Sequence, residues 1–185
     1  MLPNEMPCLQ HGPVVLRAFE SSDAALVQSV ATDDLIPLIT TVPASGAHED
    51  ALAFIARQRH RLVAGTGYSF AIADAFSGDA VGQIGLWTRD IAQGRATTGY
   101  WVAPAHRRRG YVTAALQALT AWVLQLDEVE RVQLYVEPWN RGSWQAAERC
   151  GFQREGLLRS WQRVGEVRKD MYVYSLVKDS ALEAR

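Results

Sequence analysis

Two hydrophobic periods alternate along this chain, and the switches between them outline its elements. Val14 to Arg17 reads as a strand; in the FESSDAAL that follows, Ser21, Ser22 or Asp23 caps a helix carrying Leu26, Val27 and Val30 on one face. From Asp33 to Ala47 two prolines, a glycine and no clean period predict a surface loop, apolar enough to roof a site. A helix from His48 to Leu62 turns Leu52, Ile55 and Leu62 toward the core, and Gly65 and Gly67 end it.

Period-two segments follow. Tyr68 to Ala73 and Val81 to Trp87, joined by DAFSGD, predict an antiparallel hairpin, with a third strand from Ala96 to Val102 after the turn at Gly94. Pro104 ends that strand. From Gly110 the apolar positions Val112, Ala115, Leu116, Leu119, Val123 and Leu126 recur at helical spacing, the clearest such run in the chain. A strand from Arg131 to Glu137, the turn PWNRG, a helix from Ser143 to Cys150 stopped by Gly151, and a closing strand pair ending in MYVYSLV complete the order.

Composition narrows the picture. With 185 residues, 48% of them hydrophobic, the chain is expected to form one domain over residues 1–185, with 1–12 as a flexible tail. Nineteen basic against 20 acidic residues leave a net charge of −1, which argues against a nucleic-acid or anionic-membrane surface and makes any anion site local. Cys8 and Cys150 have no metal-ligand spacing, and no segment reads as a membrane span or export signal; a cytoplasmic protein without a metal is expected.

Candidate chemistry begins at HRRRGYVTAAL, His106 to Leu116, where a strand passes through three arginines into a helix opening at Gly110. A glycine there lets backbone approach a ligand, while the free amides and dipole of a helix start favour a phosphate or pyrophosphate. A solvated basic loop is the plainer reading of HRRR alone.

The flanking motifs change that balance. Arg107, Gly110 and Val112 fall on the Arg/Gln-x-x-Gly-x-Gly/Ala coenzyme loop of the GNAT N-acetyltransferase superfamily, although Val112 is larger than the usual small residue. GYWVAP precedes the loop, and NRGSWQAAERCGFQREGLLR after it resembles the ribosomal-protein N-acetyltransferase (RimJ/RimL-type) branch. VVLRAFESSD, IGLWTRD and KDMYVYSLVKD resemble that branch too, so the likeness spans nearly the whole chain.

The resemblance implies an α+β GNAT fold: a mixed, mostly antiparallel sheet with flanking helices and two splayed central strands, Ala96 to Val102 and Arg131 to Glu137. It further implies acetyl-CoA as co-substrate, with amides from Arg107 through Arg108, Arg109, Gly110, Tyr111 and Val112 to Thr113 cradling its pyrophosphate. Nearby arginine side chains would reach the 3′-phosphate. The pantetheine arm would lie in the splay as an added strand, and the amide of Val102 would face the developing oxyanion.

Asn140 is then a positioning residue. Ser143, by residue type a helix N-cap, becomes a proton donor to the departing thiolate. Many relatives carry a glutamate base where this chain has Thr97, two residues before Gly99, and Glu137 is the candidate replacement. Without a base, supplying neutral amine at pH 7 costs about 1 kcal/mol for an α-amine but roughly 4.5 kcal/mol for a lysine, so a low-pKa amine is the easier acceptor. Trp87, Asp90 and His106 are lesser candidates for the acceptor side.

The implied function is acetyl transfer to a primary amine, on a protein N-terminus or a small molecule; relatives are often homodimers. The alternative is a non-catalytic acyl-CoA-binding sensor of the same fold that has lost its base at Thr97. A nucleic-acid module using Arg107 to Arg109 would have too few phosphate contacts.

Overall fold

Eight strands form one sheet in the computed structural model, which describes residues 2–178. They are β1 (Leu9–His11), β2 (Val14–Arg17), β3 (Gly67–Asp74), β4 (Ala80–Trp87), β5 (Arg95–Val102), β6 (Arg131–Val136), β7 (Gln153–Val164) and β8 (Val167–Val177). Their spatial order is β1-β2-β3-β4-β5-β6-β8-β7, antiparallel throughout except for β5 and β6, which run parallel. The expected α+β architecture with a mostly antiparallel sheet is therefore present.

Alternation along the strands sorts side chains between two cores. Tyr68, Phe70, Ile72, Ile84 and Leu86 join Ala115, Leu116 and Leu119 of α4 (Tyr111–Val123), and Ala147 of α5 (Arg141–Arg149) extends this core. On the opposite face, Ala71 and Trp101 pack against Val27 of α1 (Ala24–Ser29) and Ala51, Phe54 and Ile55 of α3 (His48–Val63). Glu49 and Asp50 in the first turn of α3, and His60 and Arg61 in its last, both suit the helix dipole.

Several boundaries differ from expectation. Leu9–His11, assigned to a tail by sequence, forms edge strand β1, with Leu9 packed on the core, and the Tyr68 hydroxyl donates to the Pro3 carbonyl at 2.6 Å. Next to it, β2 pairs with β3 from Val14↔Asp74 to Arg17↔Ala71. The loop Asp33–Ala47 contains a one-turn helix, α2 (Ile36–Ile39), capped by the Asp33 carboxylate, which accepts from the amides of Leu35 and Ile36. Ahead of α1, Ser21–Asp23 form a 3₁₀ turn in which the buried Asp23 carboxylate accepts from the Glu20 amide and pairs with Arg17. The buried stripe of α3 is Ala51, Phe54, Ile55 and Gln58, with Leu52 and Leu62 only partly covered. Asp179, the last residue of KDMYVYSLVKD, lies outside the described residues.

At the far edge, Arg131 of β6 and the Ser175 hydroxyl of β8 grip Glu155 of β7. The Arg131 and Ser175 hydrogen bonds hold the Glu155 carboxyl down at about 2, below the ~4.3 of a free glutamate. The folded chain thus resists a proton that the unfolded chain takes up, and stability present above that upper value is lost as pH falls toward the lower one. Thermal melts of Glu155→Gln across this range should show a flatter acid limb than the wild type; superimposable pH profiles would show that the pair contributes nothing.

Candidate active site

The sheet opens between its two parallel strands. β5 and β6 are paired only at Arg95↔Arg131, Ala96↔Val132 and Thr97↔Gln133; beyond these residues they diverge. Ala103 donates its amide to the Val81 carbonyl at 2.9 Å, and β4 and β5 stay in register from Gly82↔Val102 to Trp87↔Thr97. Antiparallel alternation then turns the main-chain groups of Thr98, Tyr100 and Val102 away from β4, toward the opening. A cleft of about 470 Å³ occupies this opening and continues under α2, lined by Thr97 to Trp101, Leu134 to Glu137, Asn140 and Ser143.

The turn after β5 is built to present amides. Arg108 (φ 61°) and Gly110 (φ 82°) both adopt the left-handed conformation, the one position strained for a side chain and the other free of that cost. The first bond of α4 runs from the Ala114 amide to the Gly110 carbonyl at 3.0 Å, which leaves the amides of Tyr111, Val112 and Thr113 ahead of it. Consecutive outward amides at a helix start form an anion seat.

The three arginines divide their work. The Arg107 side chain turns inward, donating Nε to the Val102 carbonyl at 3.1 Å and Nη2 to Asp33 at 3.0 Å. It ties the turn to the α1–α2 loop. Against the desolvation of partial burial, the amides of Ile36 and Leu35 together with Arg107 keep the Asp33 carboxyl below its ordinary value. Arg108 and Arg109 are exposed beside the seat. Tyr111 is buried, its hydroxyl donating to Asp74, and Val112 packs partly against the core. Both can therefore serve the seat only through their amides.

Asn140 caps α5, its Oδ1 accepting from the Ser143 amide at 3.3 Å. The helix consequently starts at Arg141, and Ser143 is not its N-cap, contrary to the plainer sequence reading. The Ser143 hydroxyl instead donates to the Tyr100 hydroxyl at 3.0 Å, which in turn donates to the Ser143 carbonyl at 2.9 Å. Tyr100 was not singled out by sequence, because a tyrosine in GYWVAP looks like any strand aromatic. Burial pushes its phenol far above the ordinary value, so it stays protonated.

Glu137 lies at the end of β6, 9% exposed and on the cleft wall. Trp139 Nε1 donates to its Oε2 at 2.7 Å, an arrangement that fixes the carboxylate. The odd residues of β6 lie on the opposite face from the buried Val132, Leu134 and Val136, which puts Glu137 on the same side as Thr97.

Of the lesser candidates only Trp87 lines the cleft. Its indole lies over Gly85 and Gly99, where an added Cβ would stand 3.0 and 3.2 Å from the ring. Asp90 instead begins a 3₁₀ turn, and His106 is half-buried with its ring 6.4 Å from that of Tyr111. On the acyl-transfer chemistry that the sequence resemblance implies, Gly99→Ala should tilt the indole by a few tenths of an ångström and raise the acceptor KM about threefold, of the order of a small packing loss, with coenzyme A affinity held. Equal acceptor KM in the two proteins would mean that Trp87 does not bound the acceptor.

Sequence reasoning also missed Gln58 and Arg61 of α3, both on the cleft. The signal was available: Gln58 continues the buried stripe of Ala51, Phe54 and Ile55, and a polar residue at a core position marks a constrained site.

Comparison with known proteins agrees with this geometry. The family model described as acetyltransferase (GNAT) domain matches residues 14–153. An uncharacterized N-acetyltransferase, p20 of Bacillus licheniformis, is 30% identical over 109 residues, 59% of this chain and 61% of that one. The ribosomal-protein-serine acetyltransferase of Escherichia coli is 33% identical over 85 residues, 46% of this chain and 48% of that one. The matched stretch thus spans about half to three fifths of these curated relatives. In fold, the chain superposes on Mycobacterium smegmatis RimJ, solved in complex with CoA-disulfide, with a TM-score of 0.82 at 21% identity, covering 100% of this chain and 97% of that one. With three quarters of its length under the family model and the splayed strands and helix-start turn in place, the chain belongs to the acetyltransferase (GNAT) domain family.

Proposed function

We propose that this chain is an N-acetyltransferase moving an acetyl group from acetyl-CoA to a primary amine, on a protein N-terminus or a small molecule, by direct transfer. The observation that carries this reading is the opening of β5 from β6 beyond Thr97 and Gln133, ending at the amide seat of Arg108 to Thr113. When bound, acetyl-CoA supplies an electrophilic thioester carbon and a thiolate leaving group of reference pKa ~8.5.

The protein's part is to position, to stabilise charge and to move protons. Main-chain groups of Thr98 and Tyr100 hold an amide-bearing arm in the manner of an added strand, and Asn140 fixes the start of α5 beside it. The Val102 amide donates to the oxygen that gains charge. As the C–N bond forms and the C–S bond breaks, the amine proton passes to Glu137, directly or through water, and the Ser143 hydroxyl or a solvent molecule protonates the departing sulfur. Tyr100 keeps its proton and holds Ser143 in place.

Cys150 takes no covalent part. Burial pushes its thiol up to about 11, so almost no thiolate exists near neutral pH. Among the described residues no helix is long and apolar enough to cross a membrane; a cytoplasmic enzyme acting on soluble amines, as a monomer or homodimer, fits this reading.

Incubation with acetyl-CoA and a panel of amines, following free thiol, tests the proposal. Release of thiol that depends on the amine supports it; absence of coenzyme A binding overturns it. Tight binding with no turnover on any amine would favour the sensor reading, to which Thr97 lends weight and Glu137 on the same wall speaks against.

A further inference from the structure

Arg61, at the end of α3, lines the cleft beside Trp87, Leu38 and Ile39. Its Nε donates to Gln58 Oε1 at 2.9 Å. That oxygen also accepts from Gln83 Nε2 at 3.0 Å and Ser69 Oγ at 3.1 Å, and Gln58 is 1% exposed. Trp101 Nε1 donates to Gln83 Oε1 at 2.8 Å, so a buried network spanning three strands and α3 aims this one guanidinium. The guanidinium carbon sits 6.0 Å from the centroid of the Trp87 ring.

The rest of the guanidinium is unused. Among the described residues, neither Nη atom of Arg61 makes a hydrogen bond or an ion pair, and the ion pairs present engage Arg17, Arg107, Arg131 and Arg163 instead. Burial lowers the Arg61 pKa, and Arg57 lowers it further; no carboxylate opposes them. Arg163, the other guanidinium on the cleft, is already paired with Glu166, and Glu137 is bonded to Trp139. A half-buried cation without a counter-charge is costly unless a ligand provides one. The free edge of a guanidinium matches a carboxylate bidentately.

On the acyl-transfer reading, on which this rests, we infer that the acceptor amine belongs to a molecule that also carries a carboxylate, and that Arg61 pairs with it. The carboxylate comes either from a free amino acid or from an acidic side chain near a peptide N-terminus. A polyamine would instead bring positive charge to an unneutralised guanidinium.

Matched acceptors separate these cases: serine against serinamide, the amidated peptides Ser-Glu-Ala-Ala against Ser-Gln-Ala-Ala, and spermidine. In the wild type, the acidic member of at least one pair should have a kcat/KM roughly 10- to 100-fold above its neutral partner, the range of a hydrogen-bonded charge. Preference within the first pair identifies an amino acid, and within the second a protein N-terminus. Arg61→Gln should remove the preference chiefly through KM, and Arg61→Lys should restore part of it. Calorimetry with coenzyme A present gives a readout independent of turnover: the acidic ligand should bind about tenfold more weakly to Arg61→Gln.

Coenzyme A affinity measured on each variant reports that the fold is intact. Equal treatment of both members of each pair by the wild type, a preference for spermidine, or a preference that survives in Arg61→Gln would overturn the inference. Coenzyme A binding and amine turnover without acid preference would leave the acetyltransferase reading standing; loss of coenzyme A binding by the wild type would remove both.

Discussion

Gly110→Glu should weaken coenzyme A binding about 100-fold. Gly110 stands at the start of α4 with φ 82° and nothing within 4 Å of the place a Cβ would take. A side chain there meets no protein atom, and its effects are backbone strain and whatever it carries into the seat. A carboxylate about 4 Å from a phosphate charge is repelled by about 4 kcal/mol at an effective dielectric of 20. The site is exposed, and screening reduces this to about 2–3 kcal/mol, which is the factor given. Gly110→Ala isolates the strain, of order 1–2 kcal/mol in stability, with little effect on affinity. Calorimetric titration of both variants decides the matter, and the gap between them should narrow as salt is added. Equal affinities for the alanine and glutamate variants would mean that no phosphate sits against this turn.

Glu137→Gln should lower kcat/KM about 100-fold at neutral pH, within the range of general-base effects. The amide can keep the Trp139 hydrogen bond through its own oxygen, so the local structure is retained while the proton acceptor is lost. The deficit should shrink as pH rises toward the acceptor's own pKa, because solution then supplies the neutral amine. A structural role alone would give a deficit that does not vary with pH. Undiminished activity at neutral pH would remove Glu137 from the mechanism.

The parts of the site that could be read from sequence are those set by local rules. The change from period two to helical spacing across Pro104 and Gly110 marked β5, the turn and α4 to within a residue at their junction, because glycine, proline and an amphipathic run are local signals. Ser143 came from motif position and Glu137 from its place at a strand end, and the structure brings both to one cleft. Contacts between distant segments were not legible. The Arg107 side chain pairs with Asp33, 74 residues earlier, a contact that nothing near HRRRG announces. Asn140 displaced Ser143 as cap, since either residue type can fill that position. Strand β1 is three residues long and owes its order to β2 and the core, which no local propensity reports.

Trp87 carries a consequence for the range of molecules this protein can accommodate. Its indole occupies the space left by two absent side chains, at Gly85 and Gly99 on neighbouring strands. The indole thus forms part of the cleft wall and rests on the backbone at these two glycines. Truncating that one residue would deepen the chamber by the volume of an indole while both strands keep their hydrogen bonds, whereas filling it from below needs a change at either glycine. On the proposed function, selection for bulkier or slimmer acceptors can therefore act through a single position and its two supports, and leave the helix start at Gly110 untouched.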